Sequence, residues 1–492
     1  MVERMIKNQS ELENSKYTVQ VMPPGGFTPE KHFYERVLNA TIHPLVSYFF
    51  RFDLERLISR YCHLNPQVDK EILESILRYT PRYLRWAGAD LFHVTTAGGI
   101  RKMVIVEVNS SPSGQKSMPT LTDHDEQGGY SYLIKNTFAP LLLQRGIKGG
   151  RLAVIFDKNR MEAAGYASAM ADHFQEEVLL TPFFESDPNP PVRFTQKQME
   201  VRTEDGQWYP IRGAFRYVTQ RPWNRIPVHT STRILNPVLA CLAGGRNKMI
   251  AAMAYELFNA ELLGSGLTII IPETIRDATK EEIPLLIRKF GGHAVVKVPY
   301  SNAGQGVFTI TNESELDRFM EKEYPYDQFI VQSLIGNYHW SSQSALGKFY
   351  HVGTVPNRSR DIYVSDIRMM VCSTPNGFRP LAVYCRRANM PLADTIDPSG
   401  NSWEMLGTNL SVKTGLDSWK SDTSRLLLMD RKDFNVIGIG LDDLVNGFIQ
   451  TVLGVVAIDK MAGNLVNKKG IFRFKLFRSI NRDKPFIEEI LL

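Results

Sequence analysis

Residues 104–119 read VIVEVNSSPSGQKSMP. Four apolar residues interrupted only by Glu107 run up to Asn109, and the chain then passes into Ser, Pro and Gly. Side chains two apart on a strand share a face, so a strand ending here aims Glu107 and Asn109 at one place. A carboxylate beside a carboxamide oxygen suits a hard cation such as Mg²⁺, which takes one or two carboxylates and completes its shell with phosphate oxygens and water. An edge strand with one solvated polar face would carry the same two residues. The pair alone leaves both readings open, and the rest of the chain decides between them.

With 492 residues the chain has room for roughly two to four domains and a sizeable core. It is 43% hydrophobic and 22% charged, as soluble globular proteins are. The net charge of +6, from 58 basic and 52 acidic residues, suits anionic small molecules such as nucleotides. It is too weak and too evenly spread to point to nucleic acid. Cys62, Cys241, Cys372 and Cys385 stand alone without a CxxC, which reads as reduced, packed thiols of a cytoplasmic protein. The first 17 residues lack the apolar core of a secretory signal. FIQTVLGVVAI, residues 448–458, carries Gln and Thr and reads as too short to span a bilayer, so no membrane partner is expected.

Residues 1–30 read as a polar, flexible lead-in ending in MPPGG. Between His32 and Trp86 apolar residues recur at helical spacing. Two strands follow, ADLFHV and MVIVEV, joined by the turn TAGGIRK. GGRLAVIFD and then NRMEAAGYASAMADHF form a β-α unit of a parallel layer. WYPIRGAFRYVT is another strand, TQRPWNRIP a loop and KMIAAMAYELFNAELL a helix. After residue 284 strands dominate: HAVVKVPY, GVFTI, QFIVQSLI, YVSDIRMMV and RPLAVYCRR. A helix from LDDLVNGFIQTVLGVV and a basic segment ending in FIEEILL close the chain, without internal repeats.

Residues 293–310, HAVVKVPYSNAGQGVFTI, hold the second informative pattern. A strand ending in Lys297 enters a loop of small residues, Ser301 to Gly306, and a second strand begins at once. Small residues let backbone N–H groups approach an anion, and a lysine adds a point charge. Neither a GK[ST] loop nor a GxGxxG opening a helix is present, which leaves a strand-loop-strand phosphate cover, or a plain hairpin with a Gly-rich turn. FIVQSLIG, residues 329–336, reads as a hinge whose backbone addresses a purine edge, or as a core strand. Arg216, Arg221 and Arg225, set among Tyr217 and Trp223, suit a substrate carboxylate; a solvated loop around a packed Trp is the other reading. His124, in TDHDEQGG, reads as part of a polar surface loop rather than a metal site.

Taken together, WAGADLFHV with VIVEVNSSPSG, Lys248 ahead of a helix, KVPYSNAGQGV, FIVQSLIG and SDIRMMV resemble the ATP-grasp superfamily of carboxylate-amine ligases. The resemblance spans roughly residues 82–415 and has an unusual order: the strand pair that most of the family carries last lies here at 86–114. That order looks like a circular permutation of the glutathione synthetase kind. The resemblance implies an α/β (α+β) chain with an ATP-grasp fold and a preceding α/β layer. Its expected units are 1–30, 31–145 (helices and metal strands), 146–245 (substrate domain), 246–430 (nucleotide-binding subdomains) and 431–492.

Carried over by position, the resemblance makes Asp90, Glu107 and Asn109 magnesium ligands. It gives ATP to Lys248, Lys297, the cover Ser301, Asn302, Ala303, Gly304, Gln305 and Gly306, and the hinge Gln332, Ser333, Leu334 and Ile335. Arg368 and Lys297 would be catalytic, with Ser111, Ser113, Ser117, Arg216 and Arg386 on the substrates. The implied reaction is ATP-dependent amide formation between a small carboxylate and an amine through an acylphosphate. A kinase-like protein without amide formation is the alternative, and a homodimer is an allowed assembly. Two positions depart from the family: Gly88 stands where an Arg is frequent, and Gln332 where an acid is frequent.

Overall fold

In the computed structural model, which describes residues 18–122, 125–143, 149–219, 222–301, 304–413 and 419–491, the strand bearing Glu107 and Asn109 is Arg101–Asn109. It pairs antiparallel with Trp86–Thr96, placing Asp90 opposite Glu107 and Gly88 opposite Asn109. The register then skips from Glu107 to Ile105, a β-bulge that leaves Val106 as the extra residue and turns Val106 and Glu107 towards the same cavity. The far edge of Trp86–Thr96 carries Ser365–Thr374 and, beyond it, Phe349–His351. Gly377–Arg387 and Leu426–Leu427 complete a six-stranded antiparallel sheet. Strands separated by more than two hundred residues of sequence are therefore neighbours at its centre.

One face of this sheet is covered by the helix Leu441–Asn464, which packs on Trp86–Thr96, Arg101–Asn109 and Ser365–Thr374. Gly447 and Gly454, two turns apart on one helix face, lie against Leu91, Ile105 and Val108, so the helix axis comes close to the sheet. Its buried Asp459 accepts from the backbone of Arg82, Tyr83 and Leu84 and from the Tyr79 hydroxyl, which fixes the chain just before the central strand. The stretch expected to be too short for a bilayer belongs to a helix of 24 residues, long and apolar enough to cross a membrane by length and composition. Of its apolar window 78% is buried within the protein, where each Val, Leu or Ile removed from water contributes about 1.5–3 kcal/mol.

A second sheet joins Arg151–Phe156 in parallel to Val178–Pro182 and to Trp208–Tyr217, with the helix Arg160–Phe174 as crossover. Arg233–Leu235 adds in parallel, while Gln20–Met22, Val192–Thr195 and Gln198–Arg202 add antiparallel strands that the sequence pattern did not announce. Residues 1–17 of the expected flexible lead-in lie outside the described residues, and the first of these strands corrects the rest: Val19 is buried, Gln20–Met22 pairs with Val178–Pro182, and a helical turn, Pro29–His32, follows. The third sheet is small and antiparallel, in the order Thr274–Ala278, Phe329–Ser333, Ala294–Lys297, Val307–Ile310.

Within the expected loop TQRPWNRIP, Pro222–Arg225 forms one helical turn, because Trp223 packs against Tyr300 and Phe486. Phe486 belongs to Lys484–Leu491, so the tail docks beside that turn.

Candidate functional site

A cavity of about 300 Å³ opens between the six-stranded sheet and the small antiparallel sheet. One end is apolar, walled by Phe92, Val295, Val307, Leu334 and Leu406. His351 closes this wall, its ring edge-on to Phe92 at 4.6 Å, and burial pulls its pKa down to about 3, so the ring is neutral. Trp403 to Ser411 lie over the cavity, and this strap is stitched to the small-sheet side by Glu315, whose carboxylate accepts from Ser402 N and Oγ at 2.7 Å each and from Thr311 N at 2.8 Å.

The other end is strongly basic. Lys297 ends its strand with Nζ 3.3 Å from the Val106 carbonyl, and burial pulls its pKa down to about 8, opposed by Glu107 and assisted by Lys248. Asn247 caps the helix Lys248–Glu261, which places Lys248 in its first turn, 3.1 Å from Ser301 Oγ and 3.7 Å from Glu107 Oε1. Burial lowers the pKa of Lys248 as well. Arg246 and Lys158 continue the row, both donating to the Ser111 carbonyl. Burial, and after it the Arg246 charge, holds Lys158 well below the usual lysine range. With Lys116, Arg368 and Arg386, seven cationic side chains line the cavity against three acids, Asp90, Glu107 and Asp366, among the described residues.

Two of those acids are already matched. Asp90 Oδ1 accepts from Arg368 Nε at 2.6 Å and Oδ2 accepts from Arg368 Nη2 at 2.7 Å, while Oδ2 also forms an ion pair with Arg386 Nη2 at 3.0 Å. Burial raises the Asp90 pKa, but the two guanidiniums outweigh it and hold the carboxyl below the usual range. Asp366 is paired with Arg386 through both oxygens. Of the predicted metal set, Glu107 and Asn109 fit a hard cation. Glu107 keeps 24% of its side chain exposed to the cavity. Asn109 is 4% exposed and its Nδ2 has no partner among the described residues; turning the amide about its last bond presents Oδ1 instead. Asp90 faces the same cavity but does not fit, because both its oxygens already serve guanidiniums.

The SSPSG loop is held from three sides. The buried Glu162, in the first turn of Arg160–Phe174, accepts from Ser113 Oγ at 2.9 Å, Gly114 N at 2.9 Å and Gln115 N at 2.8 Å. Tyr384 OH and Arg368 Nη1 both donate to the Ser113 carbonyl, at 2.7 and 3.2 Å. Gly114 sits at φ +150°, where a Cβ would lie 2.1 Å from the Tyr384 ring. Gly88 is crowded by the same loop: a side chain there would begin 2.7 Å from Pro112 Cβ.

Of the other predicted residues, Ser113, Ser117, Ser301, Gly304 and Gln332 to Ile335 line the cavity. Gly306 packs beneath Val298 and Ser301, and Gln305 is exposed; neither lines it. Asn302, Ala303, Arg221 and His124 lie outside the described residues. The hinge is corrected in one respect. The amides of Ser333 and Leu334 already donate to Glu273 O and Ser342 Oγ, and Gln332 Nε2 donates to Thr274 Oγ1. Arg216 is also corrected: it is 1% exposed and donates to the carbonyls of Asn236 and Val218 and to Ser110 Oγ, a core support away from the cavity. Arg225 bonds Phe183 O and Asp157, and Ser111 bonds the Arg216 carbonyl.

Sequence reasoning passed over Lys158, Arg246, Glu162, Asp366, Tyr384 and His351. One signal was available for Lys158: it follows the C-terminal end of a parallel strand, where open α/β sheets bind ligands.

No protein-family model and no curated protein matches the chain. Among solved structures it is distantly similar to ATP-grasp proteins. A RimK-domain ATP-grasp protein from Sphaerobacter thermophilus is 15% identical over 47% of this chain and 90% of that one, with TM-score 0.28. A glutathione synthetase-like effector from Globodera pallida is 8% identical over 71% and 86%, with TM-score 0.40. The D-alanine-D-alanine ligase from Coxiella burnetii is 12% identical over 64% and 96%, with TM-score 0.21. Likeness at this level carries nothing about activity.

Proposed function

We propose that the chain is an ATP-dependent ligase that joins a small carboxylic acid to an amine, with the metal strands placed early in the chain as in a permuted ATP-grasp order. The observation that supports this reading is the charge imbalance of the cavity, seven basic side chains against three acids among the described residues, two of those acids already paired, next to an apolar wall. Burying that many like charges is unfavourable without a polyanion. A nucleotide triphosphate supplies both the flat apolar base and the anionic tail.

In this reading the base lies between Val295 and Leu334 on one side and Phe92 and His351 on the other. Lys297 and Lys248 take the phosphates beside Ser301 and Gly304. Glu107 and Asn109 would hold Mg²⁺, which would supply charge neutralisation for the phosphates. Lys158 and Arg246 hold the acid at the serine loop. Its carboxylate oxygen attacks the γ-phosphorus, forming the acyl O–P bond as the bond to ADP breaks. The amine then attacks the acyl carbon, forming C–N as the C–O bond to phosphate breaks, and releases its proton. Arg368 provides fixed positive charge beside that carbon. The strap over the cavity excludes water that would hydrolyse the acylphosphate.

The test is ADP and phosphate release across a panel of amino acids and small peptides, with ¹⁸O in the acid's carboxylate. Release that needs both acid and amine, with one ¹⁸O in the phosphate, is the expected result. A stable phosphorylated product formed without amine would replace the ligase by a kinase.

A further inference from the structure

We infer that Asp90 is a positioning residue for Arg368 and Arg386 and serves no metal ion. The inference rests on the reading of the cavity as a nucleotide site, and departs from the metal role that the resemblance implies for this position. Four residues make a block on three adjacent strands: Asp90 stands opposite Arg368, and Asp366 opposite Arg386. Asp90 accepts two hydrogen bonds from Arg368, at 2.6 and 2.7 Å, and forms an ion pair with Arg386 Nη2 at 3.0 Å, which together leave about one of the roughly four lone-pair sites of a carboxylate open. A divalent cation brought to the remaining lone pair would meet two guanidinium charges at contact distance. Glu107, by comparison, has one lysine at 3.7 Å.

The geometry also gives Asp90 a task. Its bidentate grip through Nε and Nη2 sets the plane of the Arg368 guanidinium, and the remaining nitrogen, Nη1, then points at the Ser113 carbonyl and the Tyr384 hydroxyl at 3.2 and 3.3 Å. The Ser113 carbonyl is the bend of the SSPSG loop, whose next amide is held by Glu162 at 2.9 Å. Asp90 therefore acts at one remove, keeping the arginine flat and the loop in register with the cations that face it.

The experiment compares Asp90→Asn with Glu107→Gln in two readouts. In an electron paramagnetic resonance titration of Mn²⁺ into the ADP complex, Glu107→Gln is expected to weaken Mn²⁺ by about tenfold or more, and Asp90→Asn by under about threefold. Phenylglyoxal labelling mapped by mass spectrometry is expected to modify Arg368 about tenfold faster in Asp90→Asn than in the parent, since the guanidinium has lost its bidentate partner. Equal loss of Mn²⁺ in both variants, or an unchanged Arg368 labelling rate, overturns the inference. Should Asp90→Asn not fold, the parent decides. Arg368 and Arg386 are expected to label at the same rate with and without Mn²⁺ in the ADP complex, and a rise of about tenfold on adding Mn²⁺ would show Asp90 leaving them for the metal. A parent that binds neither ADP nor Mn²⁺ contradicts the nucleotide site itself, and Arg368 labelling in the ligand-free proteins still decides the role of Asp90.

Discussion

At the hairpin end of the cavity Lys248 has Glu107 at 3.7 Å, and the hydrogen bond of Lys297 among the described residues goes to a main-chain carbonyl at 3.3 Å. At the serine-loop end both oxygens of Asp90 meet guanidinium N–H groups, and Glu162 accepts from two successive amides and a hydroxyl. The first region holds buried lysines with fewer and longer counter-charge contacts, a cost that an anionic ligand would offset. In the second, Asp90 and Glu162 are satisfied within the chain and so set positions rather than await a ligand. Polar residues lining one cavity can thus be sorted into ligand-binding and scaffolding roles by asking which have their partners already.

Four expected outcomes can break or sharpen this contrast. The largest effect belongs to Glu107→Gln, which removes the one acid in the basic end not paired to an arginine; turnover should fall by about 10²–10³-fold with the melting temperature nearly unchanged. Glu162→Ala, at the satisfied end, should do the reverse. Leaving two buried amides and a hydroxyl without an acceptor costs about 3 kcal/mol, visible as a lower denaturant midpoint, while nucleotide affinity in the folded fraction holds. Gly88→Ala should cost about 1–3 kcal/mol by pressing on Pro112, read in the same denaturation experiment.

The last effect is a pH dependence. Burial has brought the Lys297 pKa down to about 8, so the side chain is charged below that pH and neutral above it. Phosphate binds the charged form, and nucleotide affinity should therefore decline as pH rises through 8, by at most about tenfold per unit. Lys297→Arg, which stays protonated, should flatten the profile in isothermal titration. A parent profile that is flat from pH 7 to about 9.5 would remove Lys297 from the phosphate contacts.

The elements that carry local patterns were legible. Alternation and turn residues announced Trp86–Thr96 and Arg101–Asn109, and helical spacing announced Leu54–Leu64 and the start of Leu441–Asn464. Short antiparallel additions such as Gln20–Met22 and Val192–Thr195 were not, because three or four residues hold no period and their pairing is decided by a distant edge. Glu107, Asn109, Lys248 and Lys297, which the sequence singles out because each stands at the end of an element, all line the cavity. Asp90 and Arg216 show the limit. Both are polar residues in promising strands, yet their roles follow from partners far along the chain, Arg368 for the first and the Asn236 carbonyl for the second. Glu162 was hidden in the same way, as one acid in an otherwise ordinary helix that becomes the anchor of a loop nearly fifty residues earlier.

The central claim is that the unmatched cations receive a nucleotide's phosphates. Its most direct test is isothermal titration of ATP with Mg²⁺ into the parent and into Lys248→Met/Lys297→Met. Binding in the parent that weakens by about 100-fold in the double variant, with the fold intact by circular dichroism, is the result expected from losing two desolvated charge contacts. Equal affinity in the two proteins would contradict the claim.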